Sequence, residues 1–384
     1  MHDCSSPAIP TGILTHNDMA RFWRDDDIAH RDNCFYEGAP QLALGIRMSN
    51  ETVFTELGEE GNPFAPLPRE RRIDLNRRYN DLAERIVGRR LLNEDVPPDD
   101  AVLRSFKRIG DVFGGRYFMY DGSEWLESDI RTPQALEKRL DEIDRMDLRE
   151  FLFPANWEAE KQRVFETHGT RPPRIRHVRG PITLMCSIYG TEDFILLGVD
   201  EPELARRFSQ TVADVTIKIA DIMDEEAGLT PDTAPTGFSF ADDNCCLMTP
   251  ELYENLGLPV LMRVFERFSP GENDRRYQHS DSPMEHLLPL LGRAKLNGVN
   301  FGPTVLVDAI RKHLPKACIH GCLAPFTLMR NDTEAIHTEL IRDFTMAKAL
   351  GKGVNFDTAG SINDGSSLTS LAHIMAWIQA ECRY

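Results

Sequence analysis

Pro235-Thr-Gly-Phe-Ser-Phe-Ala241 runs directly into Asp242-Asp243-Asn244-Cys245-Cys246, and the reading of this stretch decides the fold. A short strand gives way at once to acidic, amide and thiol side chains, and a helical segment follows. Four later segments repeat the plan. Arg275-Arg-Tyr-Gln278 leads into His279-Ser280-Asp281, and Leu296-Asn-Gly-Val299 ends at Asn300. Lys316-Ala-Cys-Ile319 ends at His320-Gly321-Cys322, and Val354-Asn-Phe356 ends at Asp357-Thr358-Ala359-Gly360-Ser361. Strand-then-helix alternation from about residue 234 to the C-terminus predicts a parallel α/β architecture of the (β/α)-barrel kind. In such a barrel the C-terminal ends of the strands share one mouth, so five distant segments are expected to supply one site.

Upstream of this region, residues 1–100 read as a loop-rich helical extension and 101–384 as the barrel. Asn17 reads as the cap of a helix through Arg31, and Leu67 to Asn93 as a charged helix broken near Pro68. A hairpin is expected around Gly114-Gly115, pairing Asp111-Val-Phe with Arg116–Tyr120, and Thr132 before Pro133 caps a helix. Leu204, Phe208, Val212, Val215 and Ile219 form one stripe of a long amphipathic helix from Glu201 to Glu226. Further helices are predicted at about 249–267, 283–293, 303–313, 332–350 and 366–381.

Composition excludes several classes. The 384 residues are 41% hydrophobic and 27% charged, ordinary for a water-soluble globular chain, and no run approaches the roughly 18 apolar residues of a membrane span. A formal charge of −17 opposes nucleic-acid binding, which needs a basic footprint. The eight dispersed cysteines read as reduced thiols, and the N-terminus has no secretory pattern; the expected home is cytoplasmic. Glycine-rich dinucleotide and phosphate loops and the Gly-x-Ser-x-Gly elbow do not occur. One basic stretch stands out. In Arg174-Ile-Arg-His-Val-Arg179, alternation puts Ile175, His177 and Arg179 on one strand face, and the stretch reads either as a solvated edge or as bringing Arg179 to the mouth to grip a substrate carboxylate.

Gly180-Pro181-Ile-Thr-Leu184, Met248-Thr-Pro-Glu-Leu-Tyr-Glu254 with Leu258-Pro259, His279-Ser280-Asp281, Gly321-Cys-Leu-Ala-Pro325 and Gly360-Ser-Ile-Asn-Asp364 occur in that order. Over about 174–384 the chain thereby resembles the uroporphyrinogen decarboxylase superfamily. The resemblance implies a single distorted (β/α)8 TIM barrel behind a helical N-terminal extension, often as a homodimer. It admits decarboxylases and also methyltransferases that work with corrinoid proteins. The departures favour the second branch. The arginine-rich N-terminal signature of the true decarboxylases is reduced to Arg47 within Leu42–Arg47, and Ser187 stands where their tyrosine would be. A substrate with eight carboxylates is a poor match for strand ends bearing Asp242, Asp243, Asp281 and Asp357.

The superfamily's thiol-activating methyltransferases hold zinc with a His-x-Cys pair and a later Cys. Here His279 is kept, Asp281 takes the thiolate's place, and Ala359-Gly360-Ser361 has no cysteine. Asp243 and His279, with Asp281 or Cys322, form an expected zinc set that leaves a position open. Asp243, His279, Asp281 and Asp357 are the expected catalytic residues, and Arg179, Asn244, His320 and Ser361 the expected substrate contacts. The function so implied is transfer of a methyl group from a small methylated molecule to a corrinoid on a partner protein, with zinc as Lewis acid. Two alternatives stand beside it. One is a lyase in which Arg179 anchors a carboxylate or porphyrinogen and His279 or Asp243 handles the proton, and the other is a non-catalytic ligand-binding barrel. More ordinary roles are also assigned: Asp242-Asp243 as caps for the helix near Thr249, Cys245-Cys246 as core thiols, and His286 with Glu285 orienting His279.

Overall fold

The computed structural model describes residues 13–103, 105–120, 123–360 and 364–384. Among the described residues nine strands occur in chain order: β1 Ala43–Leu44, β2 Arg116–Tyr120, β3 Ser123–Glu127, β4 His177–Arg179, β5 Phe238–Ala241, β6 Arg276–Ser280, β7 Gly298–Phe301, β8 Cys318–Leu323 and β9 Val354–Thr358. All but β2 and β3 are parallel, so among the described residues the parallel strands number seven. Two compact units share them. The first holds the described residues up to Val96, Gly302–Asp308 and Cys318–Tyr384; the second holds Pro97–Phe301 and Ala309–Ala317.

In the second unit, β4 to β7 pair side by side, and the register aligns Arg179, Ala241, His279 and Asn300 across four strands. Period-two alternation then separates two faces. Phe238 and Phe240 are fully buried, stacking on Phe268 at 5.4 Å and meeting Phe265 edge-on at 5.5 Å under the helix Leu258–Phe268. Each such ring contributes about 1.5–3 kcal/mol by burial, and a one-residue slip would move both to the wrong face. Ser239 occupies the opposite face, where its hydroxyl meets His177 Nδ1 at 3.0 Å. The helix Pro202–Glu226 covers the unit with the stripe Phe208, Val212, Val215 and Ile219; Leu204 is only partly buried.

Three local expectations are corrected here. The helix expected over 249–267 is two, Pro250–Leu256 and Leu258–Phe268, broken at Gly257, where a Cβ would lie 2.5 Å from the Tyr253 ring. The hairpin pairs β2 with β3, not with Asp111–Phe113. Ile109–Val112 is a helical turn instead, closed by Gly114 at φ +75° and by Gly115, whose missing Cβ lets the chain pass 2.8 Å from the Gly110 carbonyl. The segment expected as a helix over 283–293 is a tight turn, Glu285–Leu287, followed by Leu288–Arg293. Thr132 does cap Pro133–Asp144, accepting from Ala135 N–H.

In the first unit, β1 pairs with β9 and β9 with β8, aligning Ala43, Asn355 and His320. The helix His16–Ala29 starts at Thr15, whose hydroxyl and Asp18 form a reciprocal capping box, so Asn17 lies inside it. Arg69–Val87 starts after Pro68 and stops at the left-handed Gly88. Thr333–Leu350, capped by Asp332, and Leu368–Glu381 fall where the periodicity puts them, while the 303–313 segment is helical only over Val307–His313. Among the described residues no single helix is long and apolar enough to cross a membrane.

Candidate functional site

The site in the second unit begins with a close backbone passage. Gly180 N–H donates to the Ala241 carbonyl at 2.7 Å, and a Cβ on Gly180 would lie 2.2 Å from Asp242 Cβ. Only glycine lets the end of β4 approach the end of β5 so closely. Asp242 is fully buried, and its carboxylate accepts from Thr183 N–H at 2.8 Å, in the first turn of the helix Pro181–Tyr189. That helix has no side-chain cap of its own, so Asp242 supplies one from a distant strand end. Burial pushes its pKa up to about 7 against the opposing Thr183 hydrogen bond. Asp242 is thus a cap, as one reading of the pair holds, but for a different helix; Thr249 caps its own helix by accepting from Leu252 N–H.

Asp243, the next residue, opens the short turn Asp243–Leu247 and lines a cavity of about 580 Å³. Strand β6 places His279 next to Ala241, so its Nε2 reaches to 3.7 Å from Asp243 Oδ1. Asp281 follows the end of β6, and its N–H donates to the same Asp243 oxygen at 3.1 Å. One ligand atom from each of Asp243, His279 and Asp281 lies within 4.8 Å of the other two. From β7, Asn300 Oδ1 sits 2.7 Å from His279 Nδ1. Donation from Nδ1–H to that oxygen selects the tautomer whose Nε2 lone pair faces the two carboxylates.

The three groups interact electrostatically. Burial raises the Asp243 pKa, the negative charge of Asp281 raises it further, and His279 opposes both. Two carboxylates this close disfavour each other's ionisation unless positive charge intervenes. The donor set of one imidazole nitrogen and two carboxylate oxygens suits zinc. Tetrahedral zinc with bonds of about 2.0–2.2 Å separates neighbouring ligand atoms by roughly 3.3–3.6 Å, close to the observed His279–Asp243 spacing. The residues therefore fit the metal.

The cavity beside Asp243 has one apolar wall of Phe106, Ile109, Ile175, Val178, Ile219 and Ala241, while Tyr117, Glu124, Thr183 and Thr216 add polar lining. Arg179 lines it and makes two long hydrogen bonds, to Ser187 Oγ at 3.2 Å and to the Glu124 carbonyl at 3.4 Å. Arg108, the cavity's other cation, lies 3.4 Å over the centre of the Tyr117 ring and pairs with Glu124 at 2.7 Å. His177 also lines it, its pKa pulled below the ordinary value by desolvation and then by the charges of His279 and Arg275, which favours the neutral ring.

Of the residues expected at the site, Asp243, His279 and Asp281 are brought together, and Arg179 lines the adjoining cavity. Asn244 turns aside: its N–H donates to Thr183 Oγ1 at 3.0 Å. Cys322 is no member of the metal group. It is buried in the first unit, its thiol donating to the Val305 carbonyl at 3.5 Å, and burial pushes its pKa far up, the reverse of what a thiolate ligand needs. His320 and Asp357 belong to that unit too. Asn355 Nδ2 lies 3.0 Å from His320 Nδ1; Asp357 accepts from Thr358 N–H at 2.8 Å, and burial pushes its pKa up to about 7, with Arg47 opposing. Ser361 lies outside the described residues. His286 holds the Met248 carbonyl at 2.9 Å, so the orientation of His279 falls to Asn300 instead. Asn300, His177, Tyr117 and Arg108 were absent from the expected site set, although Asn300 ends a strand in the sequence.

Parallel strands followed by helices, with acids and imidazole at the strands' C-terminal ends, define an α/β protein of the (β/α)-barrel type. The chain belongs to the uroporphyrinogen decarboxylase (URO-D) family, whose model matches residues 125–370. Among solved structures, that of a methyltransferase from Methanosarcina mazei is similar, with a TM-score of 0.54 and 13% sequence identity over 88% of this chain and 94% of that one. At that identity the likeness concerns the fold. Comparison with curated proteins gives no match.

Proposed function

We propose that this URO-D family member is a methyltransferase that takes a methyl group from a small methylated substrate and passes it to a corrinoid carried by a partner protein. The observation that carries the reading is the convergence of Asp243, His279 and Asp281 at the strand ends, within 4.8 Å of one another. These three residues would hold a zinc ion, which when bound supplies electrophilic assistance to the heteroatom that loses the methyl group. The rest is the work of this chain's residues. Asn300 fixes the His279 ring by the 2.7 Å contact, Asp243 and Asp281 concentrate negative charge at one side of the cavity, and the apolar wall excludes water from the bond being broken. In the transfer the methyl carbon–heteroatom bond breaks, its electron pair stays on the heteroatom, and the acceptor's lone pair forms the new bond to carbon. The likeness to a methyltransferase fold agrees with this reading.

The test is transfer to free reduced cobalamin, followed by the absorbance change on methylation, across a panel of methyl ethers, thioethers and methylamines. Turnover that disappears in His279→Ala and returns with added zinc only in the native protein is the expected result. A second reading, a lyase acting on a small carboxylic acid, draws support from Arg179 in the same cavity. Release of carbon dioxide without cobalamin, undiminished by chelation, would establish that reading and displace the first.

A further inference from the structure

We infer that the cavity of the second unit takes a small monocarboxylate with an apolar body, its carboxylate held by Arg179 and its reacting end turned toward Asp243, His279 and Asp281. This rests on reading the three residues as the reaction centre, and it names the class of molecule that centre serves.

Charge bookkeeping within the cavity singles out Arg179. Arg108 is already neutralised by Glu124 at 2.7 Å and its guanidinium lies flat on Tyr117. Arg179 forms no ion pair with a carboxylate among the described residues; its two bonds, at 3.2 and 3.4 Å, go to a hydroxyl and a carbonyl and leave its charge uncompensated. A half-buried guanidinium beside an apolar wall is costly unless an anion joins it, and its planar fork matches a carboxylate with two parallel hydrogen bonds. Ser187 contributes to the presentation: its hydroxyl donates to the Thr183 carbonyl at 2.7 Å and accepts from Arg179, holding the guanidinium against the helix Pro181–Tyr189.

The size and walls narrow the class. About 580 Å³ is room for one small molecule, within the roughly 300–1,000 Å³ usual for such sites. One uncommitted guanidinium balances one negative charge. A phosphate dianion would carry a second charge into a chamber whose other edge is Asp243, and a polycarboxylate would carry more. Val178 from β4, Ile175 just before it, Ile219 from the long helix and Phe106 offer only dispersion contacts to whatever separates the two polar ends.

Titration calorimetry on the full-length, chelator-treated protein tests this, because without metal a carboxylate cannot bind by ligating zinc. The probes are benzoate, benzyl alcohol and phenyl phosphate. Benzoate is expected to bind at least about tenfold more tightly than either of the others, and Arg179→Gln to weaken benzoate by about ten- to a hundredfold while leaving benzyl alcohol unchanged. Arg179→Gln should still take up zinc, which shows that the variant folds. His279→Ala should lose zinc yet keep benzoate affinity. Failure of benzoate to bind, equal binding of benzyl alcohol, or an Arg179→Gln protein that holds benzoate as the native one does would overturn the inference. Native protein that binds benzoate through Arg179 but takes up no zinc would support the carboxylate subsite and remove the metal reading alone.

Discussion

The strand ends of the two units look alike in the sequence and behave differently in the fold. In the first unit, His320, Cys322 and Asp357 sit on β8 and β9, and each polar group is engaged by its neighbours: imidazole with Asn355, thiol with the Val305 carbonyl, carboxylate with Thr358 N–H. In the second unit, Asp243, His279 and Asp281 bring one ligand atom each within 4.8 Å of the others, and Asn300 commits the one ring nitrogen that would otherwise compete. The difference teaches that an acidic or thiol residue after a strand is only raw material. Chemistry requires donors left unspent by the fold and aimed at one place.

Breaking that contrast at Asn300 gives the largest expected effect. Asn300→Ala frees the His279 ring to rotate, and zinc affinity, read by competition with a chromogenic chelator, should fall about 10–100-fold with little change in melting temperature. An unchanged affinity would mean that the imidazole is oriented by something else. Asp357 sharpens the contrast from the other side. Its carboxyl titrates at about 7 in the folded chain against about 3.9 when unfolded, so the folded state holds its proton more tightly. That contribution to stability is complete below about pH 4 and is lost as the pH rises through 7, at most about 4 kcal/mol for the rise from about 3.9 to about 7. Asp357→Asn cannot titrate, and its melting temperature should decline less than the native protein's between about pH 4 and 7; parallel declines in calorimetry would refute the assignment. Cys322→Ala has the smallest expected effect, about 1 kcal/mol of stability from lost packing and no change in bound zinc. Loss of metal in this variant would return Cys322 to the ligand set and erase the distinction between the two regions.

Much of the fold was legible because the alternation of strand and helix is a local signal. The long stripe from Phe208 to Ile219, the Thr132 cap and the helix Thr333–Leu350 are read from neighbours a few positions apart, and the fold reproduces them. The site was legible in part for a different reason. His279 and Asp281 lie on one strand end and Asp243 on the next, so chain order suffices to bring them together once the strands are parallel. What escaped depends on register. Strand β6 runs on to Ser280, and β8 to Leu323, because cross-strand pairing satisfies backbone groups next to polar side chains that read as loop. Asn300 meets His279 only because β7 pairs with β6 at that step, and Asp242 caps a helix that begins 61 positions earlier, at Pro181, where nothing local announces a partner. The cavity wall is harder still. Phe106, Arg108 and Tyr117 come from a helical turn and hairpin whose pairing was misread at Gly114-Gly115, and no periodicity points from them to Arg179.

Anomalous diffraction at the zinc edge, on crystals of the full-length protein grown with stoichiometric zinc, tests the central claim most directly. The account predicts a single strong peak about 2.0–2.2 Å from His279 Nε2 and from one oxygen each of Asp243 and Asp281, with a further position open toward the cavity. A peak elsewhere in the chain, or none at these residues while they hold the arrangement described, would contradict it.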